Sequence, residues 1–239
     1  MGTGNIDNLE YTLKRSDRKS IGITVERDGA IMVRAPFQED PEKIARFVTE
    51  KRIWIHQKLA KKKAINHVSH HREFVNGQGF LYLGKSYRLR FFSNEKPRKV
   101  KKSSDSLALK LKHGYFELPE SQKHNARKHF ISWYKKQTEA KLKERMSRYD
   151  ERIGAMVEKL RVSDLGHRWA SLSRNGIVNF NWRSVMAPIW VFDYILVHEM
   201  AHMIVRRHSK EFWSLISRIM PDYEAHARWL NEHGTDLDL

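Results

Sequence analysis

Hydrophobic and polar positions alternate along residues 9–36, the pattern of half-buried β-strands. The runs LEYTLKRS and SIGITVERDGAIMVRAP carry it. Ile21, Ile23 and Val25 keep one phase; Ala30, Met32 and, after a phase change, Val33 continue it. Asp28-Gly29 is a hairpin turn signal between them. Asp40-Pro41 then opens a helical stretch, where Pro41 suits a first turn because the N–H it lacks has no helical partner there. Ile44, Phe47, Val48, Ile53, Trp54 and Leu59 give that stretch an apolar stripe, and KLAKKK (58–63) ends it. Two more hairpins are expected, FLYLGKSYRLRFF (80–92) turning at Gly84 and LALKLKHGYFELP (107–119) turning at His113-Gly114. NHVSHHREFVNGQG (66–79) reads as a loop with His67, His70 and His71 solvated, and SNEKPRKVKKSSDS (93–106) as an exposed basic link.

The pattern changes after residue 119. Residues 120–150 read as one long basic helix with a broken apolar face of Phe130, Trp133, Tyr134, Leu142, Met146 and Tyr149. VEKLRVSDL (157–165) reads as a strand, and HRWASLS and GIVNFNW as a hairpin about Arg174-Asn175-Gly176. Pro188 precedes IWVFDYILVHEMAHMIVRR, a helix apolar nearly all round. Ser209 is placed to cap a short helix, KEFWSLISRIM, which Pro221 ends, and DYEAHARWLNEH forms a last helix. The fold class is therefore α+β: a β-rich region with one helix over residues 1–118, then a domain over 119–239 in which a small antiparallel sheet packs on helices.

Composition narrows the chemistry. A hydrophobic fraction of 40% with 7 tryptophans is that of a globular chain. No apolar run reaches the ~20 residues of a membrane span, and the first residues lack an apolar signal core. The absence of cysteine excludes disulfides, thiolate metal sites and cysteine nucleophiles, and fits a cytoplasmic protein. A net charge of +17 suits polyanionic partners, with nucleic acid met through the basic stretches 58–63, 96–102 and 122–148, or serves solubility alone.

The candidate chemistry lies in HEMAH, residues 198–202, an H-E-x-x-H motif. Residues four apart on a helix differ by ~40° in azimuth, so His198 and His202 point the same way and supply two of the three protein ligands of a catalytic zinc. Glu199 lies ~100° round, beside a metal rather than on it, where it can move a proton. With 13 histidines in 239 residues, the pattern arises by chance roughly 0.05 times, and the apolar flanks make two buried imidazoles and a carboxylate costly without a partner. The third ligand is open at this level. His208 is six residues beyond His202, ~240° round an unbroken helix, so it joins only if the helix ends near Val205–Arg207. His226 on the last helix is the rival, and His167 a weaker one.

The run from His167 through HEMAH to HS-x-x-FW (208–213) and MPDY (220–223) resembles the signature region of the YgjP-like metal-dependent hydrolases, zincins related to the WLM and SprT-like metallopeptidases. RSDRKSIGITV, GAIMVRAP and EKRIWIHQKL are similar to the same family, so the resemblance covers most of the chain. It implies a zincin-like catalytic core, metal ligands at His198, His202 and His208, and a catalytic acid/base at Glu199. Where the family shows R-W-G-S-C-S this chain has Arg168-Trp169-Ala170-Ser171-Leu172-Ser173, and where Asn commonly precedes the third histidine it has Arg207, a charge suited to an anionic substrate.

The resulting expectation is a zinc-dependent hydrolase of metallopeptidase type, with Mn, Ni or Co as other metals that imidazoles accept. Arg168 and Ser171 are candidate substrate-binding residues, and Tyr223 a candidate oxyanion donor. Asp193 would orient a ligand histidine, or serve a cap or salt bridge instead. The substrate is a peptide or protein, lying as an added strand on the hairpin sheet. The alternatives are pyrophosphate release from a nucleoside triphosphate, or a nucleic-acid-binding protein with a structural metal. No membrane partner is expected.

Overall fold

The computed structural model describes residues 2–6, 9–26, 29–65, 73–93, 108–166, 168–173 and 175–239. Asp28, His67, His70, His71, His167, Arg174 and the basic run 96–102 lie outside them. The chain divides into two compact units, Met1–Ser69 and His70–Leu239.

In the first unit, β1 (Gly2–Ile6), β2 (Leu9–Ser16), β3 (Gly22–Val25) and β4 (Ile31–Pro36) form a sheet in the order β1-β2-β4-β3. β1 was not expected, because GTGNI has no alternation; antiparallel pairing with β2 recruits it. Gly4 is needed there, since a Cβ would run into the ring of Tyr11. The helical stretch is two helices, α1 (Pro41–Glu50) and α2 (Arg52–Ile65), interrupted at Lys51. Asp40 caps α1 by accepting from the Glu42 N–H at 3.0 Å. Ile44, Val48 and Ile55 cover Leu9, Tyr11, Ile31, Val33 and Ala35, while Ile53 and Trp54 stay exposed.

The second unit begins with two hairpins, β5 (Gly79–Tyr82) with β6 (Lys85–Phe92), and β7 (Lys110–Lys112) with β8 (Tyr115–Pro119). They join by parallel pairing of β6 and β8 into a sheet ordered β5-β6-β8-β7. Both turns take positive φ at two successive residues, 50° and 78° at Leu83-Gly84 and 48° and 80° at His113-Gly114, which matches the twist of the strands. The inner face of the sheet, Phe80, Leu89, Phe91, Phe116 and Leu118, packs on Phe130, Trp133 and Tyr134 of α3 (Ala126–Met146). Phe80 stacks on Phe130 with centroids 4.1 Å apart, and Phe116 meets Trp133 edge-on at 4.8 Å. The boundary expected at 118–119 falls inside one continuous core, because the apolar face of the hairpins packs on the helix that follows.

The expected long helix 120–150 is a 3-10 turn over Glu120–Asn125, then α3, then a short α4 (Asp150–Ile153). Next come β9 (Lys159–Ser163), β10 (Ala170–Leu172) and β11 (Ile177–Asn181), ordered β10-β11-β9. β10 pairs with β11 antiparallel and β9 with β11 parallel, so the sheet is small as expected but mixed, with β10 at its edge. The 3-10 turn Trp182–Met186 leads into α5 (Ile189–Ile204), followed by α6 (Lys210–Ile219) and α7 (Tyr223–His233). The Leu83-Gly84 turn fixes where α5 starts. The Leu83 N–H donates to the Val185 carbonyl at 2.8 Å and the Gly84 N–H to the Met186 carbonyl at 3.0 Å. A Cβ at Gly84 would lie 2.9–3.1 Å from Pro188, so only glycine permits this approach. Among the described residues no helix is long and apolar enough to cross a membrane.

Candidate active site

The site is built on the second half of α5. Val191, Phe192, Ile195, Leu196, Val197, Met200 and Ala201 are buried, so the helix is held on all sides and its azimuths are fixed. It ends at Ile204, and Val205 takes an extended conformation (φ −124°, ψ 104°). His202 closes this end: its Nδ1–H donates to the Val205 carbonyl at 3.2 Å, a group the helix leaves without a partner. That bond fixes the tautomer and leaves Nε2 as the free lone pair. The chain then turns back, and His208 Nε2 comes to 3.0 Å from His198 Nε2. The ligand nitrogens of His198, His202 and His208 all lie within 4.8 Å of one another.

Ser209 stands at the N-cap of α6, but its hydroxyl engages Glu211 rather than a backbone N–H. α6 contributes Phe212, whose ring lies 5.0, 4.5 and 4.8 Å from those of His198, His202 and His208. Trp213 stacks on His208 at 5.5 Å, and Tyr223 on Trp213 at 5.5 Å. The three imidazoles thus rest against a rigid aromatic wall, and this is the physical content of the F-W pair in the sequence. His226 is not part of the cluster: its Nδ1 lies 3.1 Å from Met220 Sδ and its ring packs on Trp190 at 4.9 Å.

The donor set fits a divalent transition metal. Burial, followed by the neighbouring His202 and His208, pushes the His198 pKa down to about 4, and burial also lowers that of His202, which favours the neutral imidazoles a metal needs at physiological pH. Tetrahedral zinc with nitrogens at ~2.0–2.1 Å separates its ligands by about 3.3 Å, close to the spacing seen between His198 and His208.

Glu199 is 8% exposed, and burial pushes its carboxyl pKa up to about 7, offset in part by a hydrogen bond from the Leu172 N–H. It lies in a cleft of about 280 Å³ lined by His198, Glu199, Tyr194, Ile195, Arg168, Trp169, Ala170 and Leu230. β10 forms one wall. Trp169 and Ser173 direct their backbone groups to β11, through Asn181 N–H to Trp169 O and Ser173 N–H to Ile177 O, both 2.8 Å. Alternation then turns the backbone groups of Ala170 and Leu172 to the open edge, where the Leu172 N–H meets Glu199.

Of the other sequence candidates, Arg168 lines the cleft, and among the described residues its guanidinium has no acidic partner. Ser171 is on β10, with its backbone carbonyl accepting weakly from Asn179 Nδ2 at 3.4 Å, and is not on the cleft wall. The Tyr223 hydroxyl donates to Glu224 Oε1 at 3.2 Å and is near enough to Tyr194, on the cleft wall, to help raise its pKa. Asp193 touches none of the three histidines. It is held by the Arg145 guanidinium, with Nε to Oδ1 at 2.7 Å, and by the Tyr149 hydroxyl at 3.0 Å, so the salt-bridge alternative describes it. Asp193 lies five residues before His198, ~140° round the helix, which turns it to α3 instead of the cluster. Sequence reasoning missed Tyr194. It stands four residues before His198 on the same face, lines the cleft, and packs edge-on against His198 at 5.9 Å. Burial holds its hydroxyl protonated. The i, i+4 spacing that pairs His198 with His202 could have found it.

Among curated proteins none matches the sequence. A crystal structure of the metallopeptidase zymogen of Pyrococcus abyssi abylysin is similar over 38% of this chain and 93% of its own, at 20% identity and a TM-score of 0.35. The family model of the YgjP-like metallopeptidase domain matches residues 19–233, nearly the whole chain, and the protein belongs to that family.

Proposed function

We propose that the protein is a zinc-dependent hydrolase that cleaves peptide bonds in the α5–β10 cleft. The observation that carries this reading is one juxtaposition: His198, a member of a cluster of three converging imidazoles, lines the same cleft as the buried Glu199 carboxyl and Ala170 of the sheet-edge strand β10. His198, His202 and His208 would hold the metal, which when bound supplies Lewis acidity toward water and a carbonyl oxygen. An extended peptide pairs with the open backbone groups of Ala170 and lies across the cleft. Glu199 takes the proton of the attacking water and returns it to the departing amine, a task suited to a carboxyl poised near neutrality. The Tyr194 hydroxyl donates to the carbonyl oxygen as negative charge develops there. Trp169, Ile195 and Leu230 keep bulk water from the reacting groups.

Arg168 supports a second reading. A guanidinium on the cleft wall suits a phosphate as well as an acidic residue, so hydrolysis of a nucleoside triphosphate to monophosphate and pyrophosphate competes with peptide cleavage. The test is the product. Metal-quantified protein is offered unfolded proteins and nucleoside triphosphates in parallel. New amine termini are expected; pyrophosphate without new termini would replace the first reading by the second.

A further inference from the structure

The sheet of β5–β8 buries one face on α3 and, among the described residues, leaves the other open, and alternation decides what that outer face carries. On β6, Leu89 and Phe91 are buried while Arg88, Arg90 and Phe92 are exposed. On β8, Phe116 and Leu118 are buried while Tyr115 is exposed and Glu117 half-buried. On β7, Lys110 and Lys112 are exposed on either side of Leu111. The register sets these residues in rows: Arg88 opposite Tyr115 and Tyr115 opposite Lys112, then Arg90 opposite Glu117 and Glu117 opposite Lys110. Phe92 stands beyond the second row, opposite Pro119. The face thus holds four cations, one carboxylate and two aromatic rings, with Tyr115 40% and Phe92 36% exposed. Among the described residues no ion pair engages Arg88, Arg90, Lys110 or Lys112.

We propose that this sheet face binds single-stranded nucleic acid. Exposed rings on a pleated surface offer flat π-faces to unpaired bases, and cations beside them take the phosphates. Arg88, beside Tyr115, and Phe92 are four residues apart on β6, about 13 Å at ~3.3 Å per residue, so the two rings receive separate bases. A duplex keeps its bases stacked inside and would use only the charges; an acidic protein segment would likewise leave the two rings without a role. The proposal is independent of the hydrolase reading, because neither the histidine cluster nor Glu199 lies on this sheet.

The test is fluorescence anisotropy with the metal-loaded full chain and a labelled oligothymidylate of about 20 nucleotides, beside a duplex of equal length, between ~50 and ~200 mM salt. The single strand is expected to bind more tightly than the duplex. Tyr115→Ala and Phe92→Ala should each weaken it about tenfold without changing the salt slope, and Tyr115→Trp should restore it. Lys110→Ala with Lys112→Ala should reduce the log–log salt slope by about 1.4, at ~0.7 per phosphate contact. Lys128→Ala with Lys135→Ala, on the exposed side of α3, should leave affinity within about twofold. Circular dichroism and metal content like those of the parent keep each variant interpretable. Equal affinity for duplex and single strand, an undiminished affinity in the ring variants, or an equal loss in the α3 variant would overturn the proposal.

Discussion

Replacing Glu199 by glutamine separates its chemistry from its burial. The carboxyl has a pKa raised to about 7 in the fold, above its ordinary value, so it favours the folded state below that ordinary value and loses this as pH rises through 7. Metal-free Glu199→Gln protein should therefore be more stable than the parent at pH 8, by roughly 2–3 kcal/mol, with the gap closing by pH 5. Urea midpoints at both values check this; a variant less stable at pH 8 would mean the carboxylate has a cationic partner in the fold. His208→Ala should lower zinc affinity by orders of magnitude and His226→Ala hardly at all, because only His208 meets His198. A chelator competition showing the reverse order would move the third ligand to α7. Tyr194→Phe should keep the metal and KM but reduce kcat roughly a hundredfold. Unchanged kcat would remove the hydroxyl from the reaction. At this scale HEMAH stood out by its spacing, and its apolar flanks and the HS-x-x-FW and MPDY elements after it gave it weight. Tyr194 did not, because a lone tyrosine in an apolar helix looks like core until the cleft beside it is seen.

The elements explain why the site is rigid. α5 is clamped at its start by the Leu83-Gly84 turn, at its end by the His202–Val205 bond, and along its side by Asp193, which α3 and the segment after it grip through Arg145 and Tyr149. Asp193 is 4% exposed, so Asp193→Asn leaves a largely buried guanidinium without its charge partner and should cost about 3–5 kcal/mol. Zinc affinity should change less than about threefold, because no histidine of the cluster contacts Asp193; a metal loss matching that of His208→Ala would contradict this. Hairpins turning at Gly84 and His113-Gly114, and the helices of the last third, were readable from turn residues and apolar periodicity. β1 was not, since its pairing with β2, not its own sequence, makes it a strand. The interruption at Lys51 was also hidden, because Ile44, Val48 and Ile55 keep helical phase across it. The Ala170 and Leu172 departures from the family pattern fall on β10, where the functional groups are backbone ones; the Leu172 N–H still reaches Glu199, and the Ala170 side chain takes up room in the cleft.

At the scale of the molecule, sequence placed a boundary near residue 118, whereas the chain divides into compact units of Met1–Ser69 and His70–Leu239. The difference is one of partners. A local pattern shows that β8 has an apolar face but cannot show that Phe130 and Trp133 of α3 are what covers it. The family match from residue 19 to 233 spans parts of both units. The account rests on Glu199 acting beside metal held by His198, His202 and His208. Its most direct test compares the parent and Glu199→Gln at equal, measured zinc content, with an unfolded protein as substrate and new amine termini as the signal. The parent should cleave and the variant should be slower by at least about a thousandfold, with metal and fold retained. Equal rates at equal metal content would contradict the account.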